Sequence, residues 1–326
     1  MKQLLIIILF TIVITGCDNP KYNKTESNQK EYFLPPPTTY NYKMIDSVKL
    51  FYRESGNRKN PTIVLLHGYP SSSHSYRNLI PMLSTHYHII APDNLGSGYS
   101  DHLDPNTTTY TFDLLANYTQ KLLDKLEINN YVMYMQDFGA PVGYRMMMND
   151  PNRIDALIVQ NANAYLDGLT PKRQDFFRTA QTDTTRTKHD FLYSLTGKDA
   201  IINKQYLFDL DSTNINIQSP DAWTHDLVFL NSDKDREIQV QLFQDYNNNL
   251  IRYPKWQKML REHQPKTLIV WGKKDLKFNS NGAKAYLKDL PKAALHLLDA
   301  GHFAAEEKTR EIAKLILEFL NNNEVE

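Results

Sequence analysis

Apolar residues in this chain gather in short continuous runs. Thr62 to Leu66, Tyr87 to Ala91, Tyr131 to Met135, Ala156 to Val159, Thr267 to Trp271 and Leu295 to Leu298 are rich in β-branched, aromatic and long apolar side chains. Runs of this kind suit strands buried on both faces of a parallel sheet. Helix-length segments lie between most of them, for example Ser75 to Leu83 and Tyr110 to Leu126. This repetition predicts an α/β fold: a mostly parallel, doubly wound sheet with helices on both faces. Two more strand-like runs, Tyr42 to Ile45 and Val48 to Arg53, come first, and Glu54 to Pro61 supplies the turn that follows.

The pattern stops between about Asn161 and Pro265, where polar and aromatic segments with helical spacing replace buried strands. A stretch that long without structure of its own is uncommon inside a domain. Residues 163–256 are therefore expected to form a helical cap, inserted between sheet segments at 40–162 and 257–326. No internal repeat is evident.

The N-terminus follows a different rule. Lys2 precedes an apolar run from Leu4 to Ile14, too short to span a bilayer comfortably and of the length of a signal h-region. The ending Val13-Ile14-Thr15-Gly16-Cys17 resembles the lipobox of bacterial lipoproteins. That resemblance implies a signal peptide at 1–16, acylation of Cys17, a lipid membrane as partner and a place in the cell envelope outside the cytoplasm. Residues 17–39 are polar and then proline-rich, as expected of a tether. Cys17 is the only cysteine, so no intramolecular disulfide can form. Lys plus Arg and Asp plus Glu both number 37, and no basic run carries interleaved aromatics, so no nucleic-acid partner is expected.

The segment Tyr131 to Arg145, YVMYMQDFGAPVGYR, carries the candidate chemistry. A strand that turns sharply into a helix exposes the side chain at its apex to helix N-terminal amides, and Asp137 stands at that apex. Alone, such a junction is more often a helix N-cap, since Asp is a preferred cap. Two other positions agree with the catalytic reading: Asp275 follows the strand in LIVWGKKD, and His302 follows the last strand in LHLLDAGHFAAEE. Nucleophile, acid and histidine thus succeed one another at the C-terminal ends of expected strands, where open parallel sheets place their sites. His86 and His88 alternate on one strand without a third ligand at metal-like spacing, so no metal is expected. Gly96-Ser97-Gly98 lacks the third glycine of a dinucleotide fingerprint, which argues against a nucleotide cofactor.

With these residues in view, Tyr42 to Leu320 resembles the α/β-hydrolases of the epoxide hydrolase and haloalkane dehalogenase group. LLHGYPSSSHSYRNLIP (Leu65 to Pro81), APDNLGSGYSD (Ala91 to Asp101), MQDFG and the segments carrying Asp275 and His302 bear the resemblance. It implies an α/β-hydrolase fold, Asp137 as nucleophile, His302 oriented by Asp275 as base, and an oxyanion hole from the backbone amides of Tyr69 and Phe138. It also implies catalysis without a cofactor, on a small apolar electrophile (epoxide or haloalkane) and water. Epoxide hydrolases open the ring with two cap tyrosines, and Tyr246 and Tyr206 are the candidates here. Haloalkane dehalogenases carry a tryptophan after the nucleophile as halide donor; Phe138 stands there and has no donor. Fluoroacetate dehalogenases carry arginines just after it, and only Arg145 is present. Trp223 is expected to pack in the core or line the pocket. An epoxide hydrolase is the leading expectation, with a haloalkane dehalogenase and a non-catalytic lipid-anchored binding protein of the same fold as alternatives.

Overall fold

The computed structural model describes residues 34–210 and 215–321. The expected signal peptide, Cys17 and most of the tether lie outside the described residues. From Pro35 onward the chain forms one compact unit.

The strands β1 (Thr39–Ile45), β2 (Val48–Ser55), β3 (Thr62–Leu66), β4 (His88–Pro92), β5 (Tyr131–Gln136), β6 (Ile154–Gln160), β7 (Thr267–Gly272) and β8 (Ala294–Leu298) make one sheet, ordered β1-β2-β4-β3-β5-β6-β7-β8. Pairing is antiparallel for β1 with β2 and for β2 with β4, and parallel from there to β8. The apolar runs are continuous because both faces are covered. Val64, Leu66, Met133 and Met135 enter the core on one face; Ile63, Leu65, Val132 and Tyr134 enter the core on the other. The alternation within each run is the two-residue period of a strand.

The α-helices, in chain order, are α1 (Ile80–Leu83), α2 (Phe112–Lys125), α3 (Gly139–Asn149), α4 (Pro171–Thr182), α5 (Arg186–Leu195), α6 (Pro220–Val228), α7 (Asp233–Asp245), α8 (Asn247–His263), α9 (Asn281–Ala285), α10 (Ala304–Glu307) and α11 (Thr309–Asn321). α1 and α11 pack with the face bearing Ile63 and Leu65; α2 and α3 pack with the opposite face. The helix expected over Ser75 to Leu83 is broken into a 3-10 turn (Ser73–Tyr76) and α1. Pro81 accounts for the break: it has no N–H to bond to the preceding turn, so it fits only the first turn of a new helix.

Between β6 and β7 every regular element among the described residues is helical. Hydroxyl side chains start these cap helices. Thr170, Thr185, Ser219 and Ser232 accept the backbone N–H of Arg173, Lys188, Asp221 and Asp235, each satisfying a donor that the helix cannot. The cap is fastened to the body by α7. Gln241 Oε1 accepts Tyr110 N–H and Asp245 Oδ2 accepts Phe112 N–H, both at 2.8 Å.

Candidate active site

The apex of the β5–α3 corner is strained. Asp137 has φ +47°, a left-handed conformation uncommon for a residue with a side chain. Gly139 makes the corner possible, since a Cβ there would lie 2.2 Å from the backbone oxygen of Leu66. Gly68 does the same for the facing loop, where a Cβ would meet that of Asp137 at 2.4 Å. The loop therefore comes close enough for Tyr69 N–H to donate to Asp137 Oδ1 at 2.8 Å. Phe138 is the N-cap residue of α3, so helix geometry leaves its amide without an intrahelical partner. The Tyr69-Pro70 peptide is cis. Asp93 braces the loop by accepting Ser73 N–H at 2.8 Å and Tyr99 N–H at 2.9 Å, which gives the Ala91 to Asp101 segment a structural task.

Asp275 and His302 converge on this corner. His302 Nδ1 lies 2.7 Å from Asp275 Oδ2, and its Nε2 lies 3.5 Å from Asp137 Oδ2. All three side chains are buried. Asp275 Oδ1 accepts the amides of Lys277 and Phe278 at 2.7 and 2.8 Å, and Asn161 Nδ2 donates to Oδ2 at 2.7 Å. Burial opposes the charge on Asp275, but His302, Lys277 and these donors hold its pKa below the usual carboxylate value. Burial likewise opposes the imidazolium of His302. The charge of Asp275, with the charge of Asp137 and hydrogen bonds to both, prevails and raises its pKa to about 9. The resting site thus pairs two carboxylates with a protonated histidine.

The backbone around His302 is held from the cap. Asp209 Oδ2 accepts His302 N–H at 3.1 Å, Asp209 Oδ1 accepts Leu276 N–H at 3.2 Å, and Lys277 Nζ pairs with Asp209 at 3.4 Å. Asp209 and Asn161 escape a reading of motifs. The only sequence signal for Asn161 is an asparagine directly after a buried strand, where its φ of +45° suits that residue type.

Aromatic rings gather on Phe138, the residue after Asp137. Phe138 packs with Tyr69 at 5.7 Å between centroids, with Phe112 at 5.0 Å and with Tyr246 at 5.4 Å. Tyr246 also stacks on Phe177 at 3.9 Å. Burial, then Tyr253 and the charge of Asp137, push the Tyr246 phenol well above its ordinary pKa, which keeps it a proton donor. The other expected cap tyrosine is engaged elsewhere: Tyr206 stacks on Phe303 at 4.2 Å and donates its hydroxyl to Asp226 Oδ2 at 2.5 Å. Trp223 is half-buried and packs against Tyr206. Arg145 is tied to Asp113, the Pro141 carbonyl and Asn249, so its charge serves the α2–α3–α8 packing. His88 bonds Glu54 at 2.9 Å, and no cluster of three or more metal-ligating side chains occurs among the described residues.

Sheet order, corner and Asp-His pair together define a hydrolase scaffold. The chain belongs to the alpha/beta hydrolase fold family, whose sequence profile matches residues 61–309. It is 38% identical over 282 residues to an uncharacterized hydrolase of Saccharomyces cerevisiae, covering 85% of this chain and 95% of the yeast protein. A haloalkane dehalogenase of Psychrobacter cryohalolentis is 33% identical over 141 residues, 41% of this chain and 45% of that protein. The solved structure of the epoxide hydrolase CorEH superposes with a TM-score of 0.69 at 17% identity, covering 88% of this chain and 99% of that one, which speaks for the fold alone.

Proposed function

We propose that the protein is an aspartate-nucleophile hydrolase that opens an epoxide to a vicinal diol. One observation carries this reading: a carboxylate, Asp137, stands between the Tyr69 amide at 2.8 Å and His302 Nε2 at 3.5 Å. A serine attacking a saturated carbon would form an ether that water does not cleave under mild conditions. A carboxylate forms an ester instead, and water can then attack the carbonyl of Asp137 itself.

In the first step an Asp137 oxygen bonds to a ring carbon, the C–O bond breaks, and Tyr246 protonates the departing oxygen. Asp137 is then neutral, and His302 loses one of the charges that held its proton. Its pKa then falls from about 9 and its proton passes through solvent to the Tyr246 phenolate, which restores the phenol and leaves His302 neutral as base for the second step. Water gives a proton to His302 and attacks the ester; the Tyr69 and Phe138 amides stabilise the oxyanion that forms on Asp137, and its collapse breaks the bond to the diol oxygen, which takes the proton back from His302. Asp275 orients the ring and balances its charge.

Haloalkane dehalogenation by the same two steps is the second reading, favoured by the similarity to the Psychrobacter protein. It needs a halide donor other than Phe138. A non-catalytic binding protein is disfavoured, because binding alone gives no reason to assemble Asp137, His302 and Asp275. The test is the intact mass of a His302→Gln variant after exposure to separate panels of epoxides and haloalkanes. An adduct equal to the whole epoxide, absent when Asp137 is also replaced by Asn, supports the proposal. An adduct of the alkyl group alone establishes dehalogenation, and no adduct from either panel overturns both.

Lipid anchoring in the cell envelope through Cys17 is also proposed, on the lipobox-like sequence. Cys17→Ala should move the protein from the membrane to the soluble fraction; unchanged fractionation would reject the anchor.

A further inference from the structure

The cap brings a cation to this site that the mechanism above does not use. Arg173 sits in the first turn of α4, one helical turn before Phe177, whose ring stacks on Tyr246 at 3.9 Å. Residues four apart share a helix face, so Arg173 lies on the face of α4 that Phe177 turns toward Tyr246. The guanidinium is half-buried, lies 5.7 Å from the centroid of Phe176, and has no carboxylate or hydrogen-bond acceptor as partner among the described residues. Arg145, by contrast, has three partners.

The Phe176 ring offsets only part of the cost of this placement. A cation in the first turn opposes the helix dipole, and withdrawing it from water without a counter-ion costs stability. Burial lowers the pKa of Arg173, while Asp275, Tyr246, Asp137 and Asp209 oppose that effect. Reciprocally, Arg173 acts to lower the pKa of Tyr246. The guanidinium therefore lies within electrostatic reach of both the nucleophile and the proton donor, and an arginine remains protonated there.

We propose that Arg173 is an anion-binding residue of the active site that holds the negative charge leaving Asp137 when it is alkylated. This rests on the aspartate-nucleophile reading. The charge count makes the case: at rest, Asp137 and Asp275 are balanced by His302 and Arg173. As the Asp137 oxygen bonds to carbon, the electron pair of the broken bond goes to the leaving atom. Asp137 becomes neutral, and the departing charge resides on a halide, or on an epoxide oxygen and the Tyr246 oxygen that share one proton. Arg173 is a cation without a fixed counter-ion among the described residues and follows that charge. It supplies the donor that Phe138 lacks and stands beside Tyr246, where the hydroxyl of Tyr206, donated to Asp226, is not available.

Two measurements on Arg173→Met and Arg173→Lys test this. The first needs no turnover: bromide is titrated and its quadrupolar NMR line broadening followed. Saturable broadening is expected in the wild type, stronger in Asp137→Asn, partly kept in Arg173→Lys and absent in Arg173→Met. The second follows adduct mass against time in the His302→Gln background. Arg173→Met should slow alkylation by about 100-fold. Its thermal midpoint should equal or exceed that of the wild type, whereas a structural role would lower it. Unchanged bromide broadening in Arg173→Met, or unchanged alkylation, overturns the proposal. So does a loss confined to substrates that themselves carry a carboxylate. Failure of His302→Gln to trap any adduct would instead reject the hydrolase reading, while bromide still reports on Arg173.

Discussion

Asp209 and His302 are joined across the seam between cap and sheet, Asp209 Oδ2 accepting the histidine's backbone N–H at 3.1 Å. The same carboxylate holds Leu276 N–H and pairs with Lys277. The cap thus fixes both the loop of His302 and the loop of Asp275. Asp209→Ala would leave the buried Lys277 ammonium with the Gln205 carbonyl but without its Asp209 counter-ion, and a loss of about 3 kcal/mol is expected. Asp209→Asn keeps an acceptor and should lose less. Denaturant unfolding of both variants, with the rate of ester hydrolysis, checks this; variants as stable as wild type would dismiss the clamp.

In the proposed mechanism Tyr246 acts only in the first chemical step. Tyr246→Phe should slow alkylation by an epoxide by about 100-fold while leaving ester hydrolysis within a few-fold of wild type. Single-turnover kinetics separates the steps, and an unchanged alkylation rate would remove Tyr246 from the site.

His302 binds its proton more tightly in the folded protein, with a pKa of about 9 against an ordinary value of 6.5. Its contribution to stability is therefore complete below pH 6.5 and is lost as the pH rises through about 9. Imidazole NMR should find this titration, and Asp137→Asn should move it downward. A midpoint that ignores Asp137 would contradict the role assigned to alkylation in releasing the base.

Glu307 sits beside the histidine loop and accepts Gly301 N–H at 3.0 and 3.1 Å. Burial raises its pKa from 4.5 to about 7, against that hydrogen bond. Its protonated form thus favours folding below 4.5, an advantage lost as the pH rises through about 7. Glu307→Gln should stabilise the protein above that pH by about 1 kcal/mol. Melting curves across the range check the sign; a variant weaker at high pH would refute it.

The sheet was legible because strands buried on both faces must be apolar throughout, and Thr62 to Leu66 or Tyr131 to Met135 admit few other readings. Asp137, Asp275 and His302 were legible for a related reason, each following such a run closely enough for the sheet to bring them together. Ser75 to Leu83 misled because helical spacing outweighed the break at Pro81. The cap hid more. Its helices are set by packing against α2 and one another, and chain order does not reveal which side chain turns inward. Tyr246 packs on Phe138 beside Asp137 while Tyr206 turns to Asp226, and nothing local separates them. Arg173 reads as an ordinary surface cation until Phe177 fixes which face of α4 lies on the site.

The left-handed backbone of Asp137 has a bearing on how this protein would evolve under selection. An aspartate at φ +47° carries conformational strain of about 1 kcal/mol, which glycine would shed. A library screened for heat resistance alone should therefore enrich inactive chains at this codon, and a screen that retains them would take a damaged enzyme for an improved one.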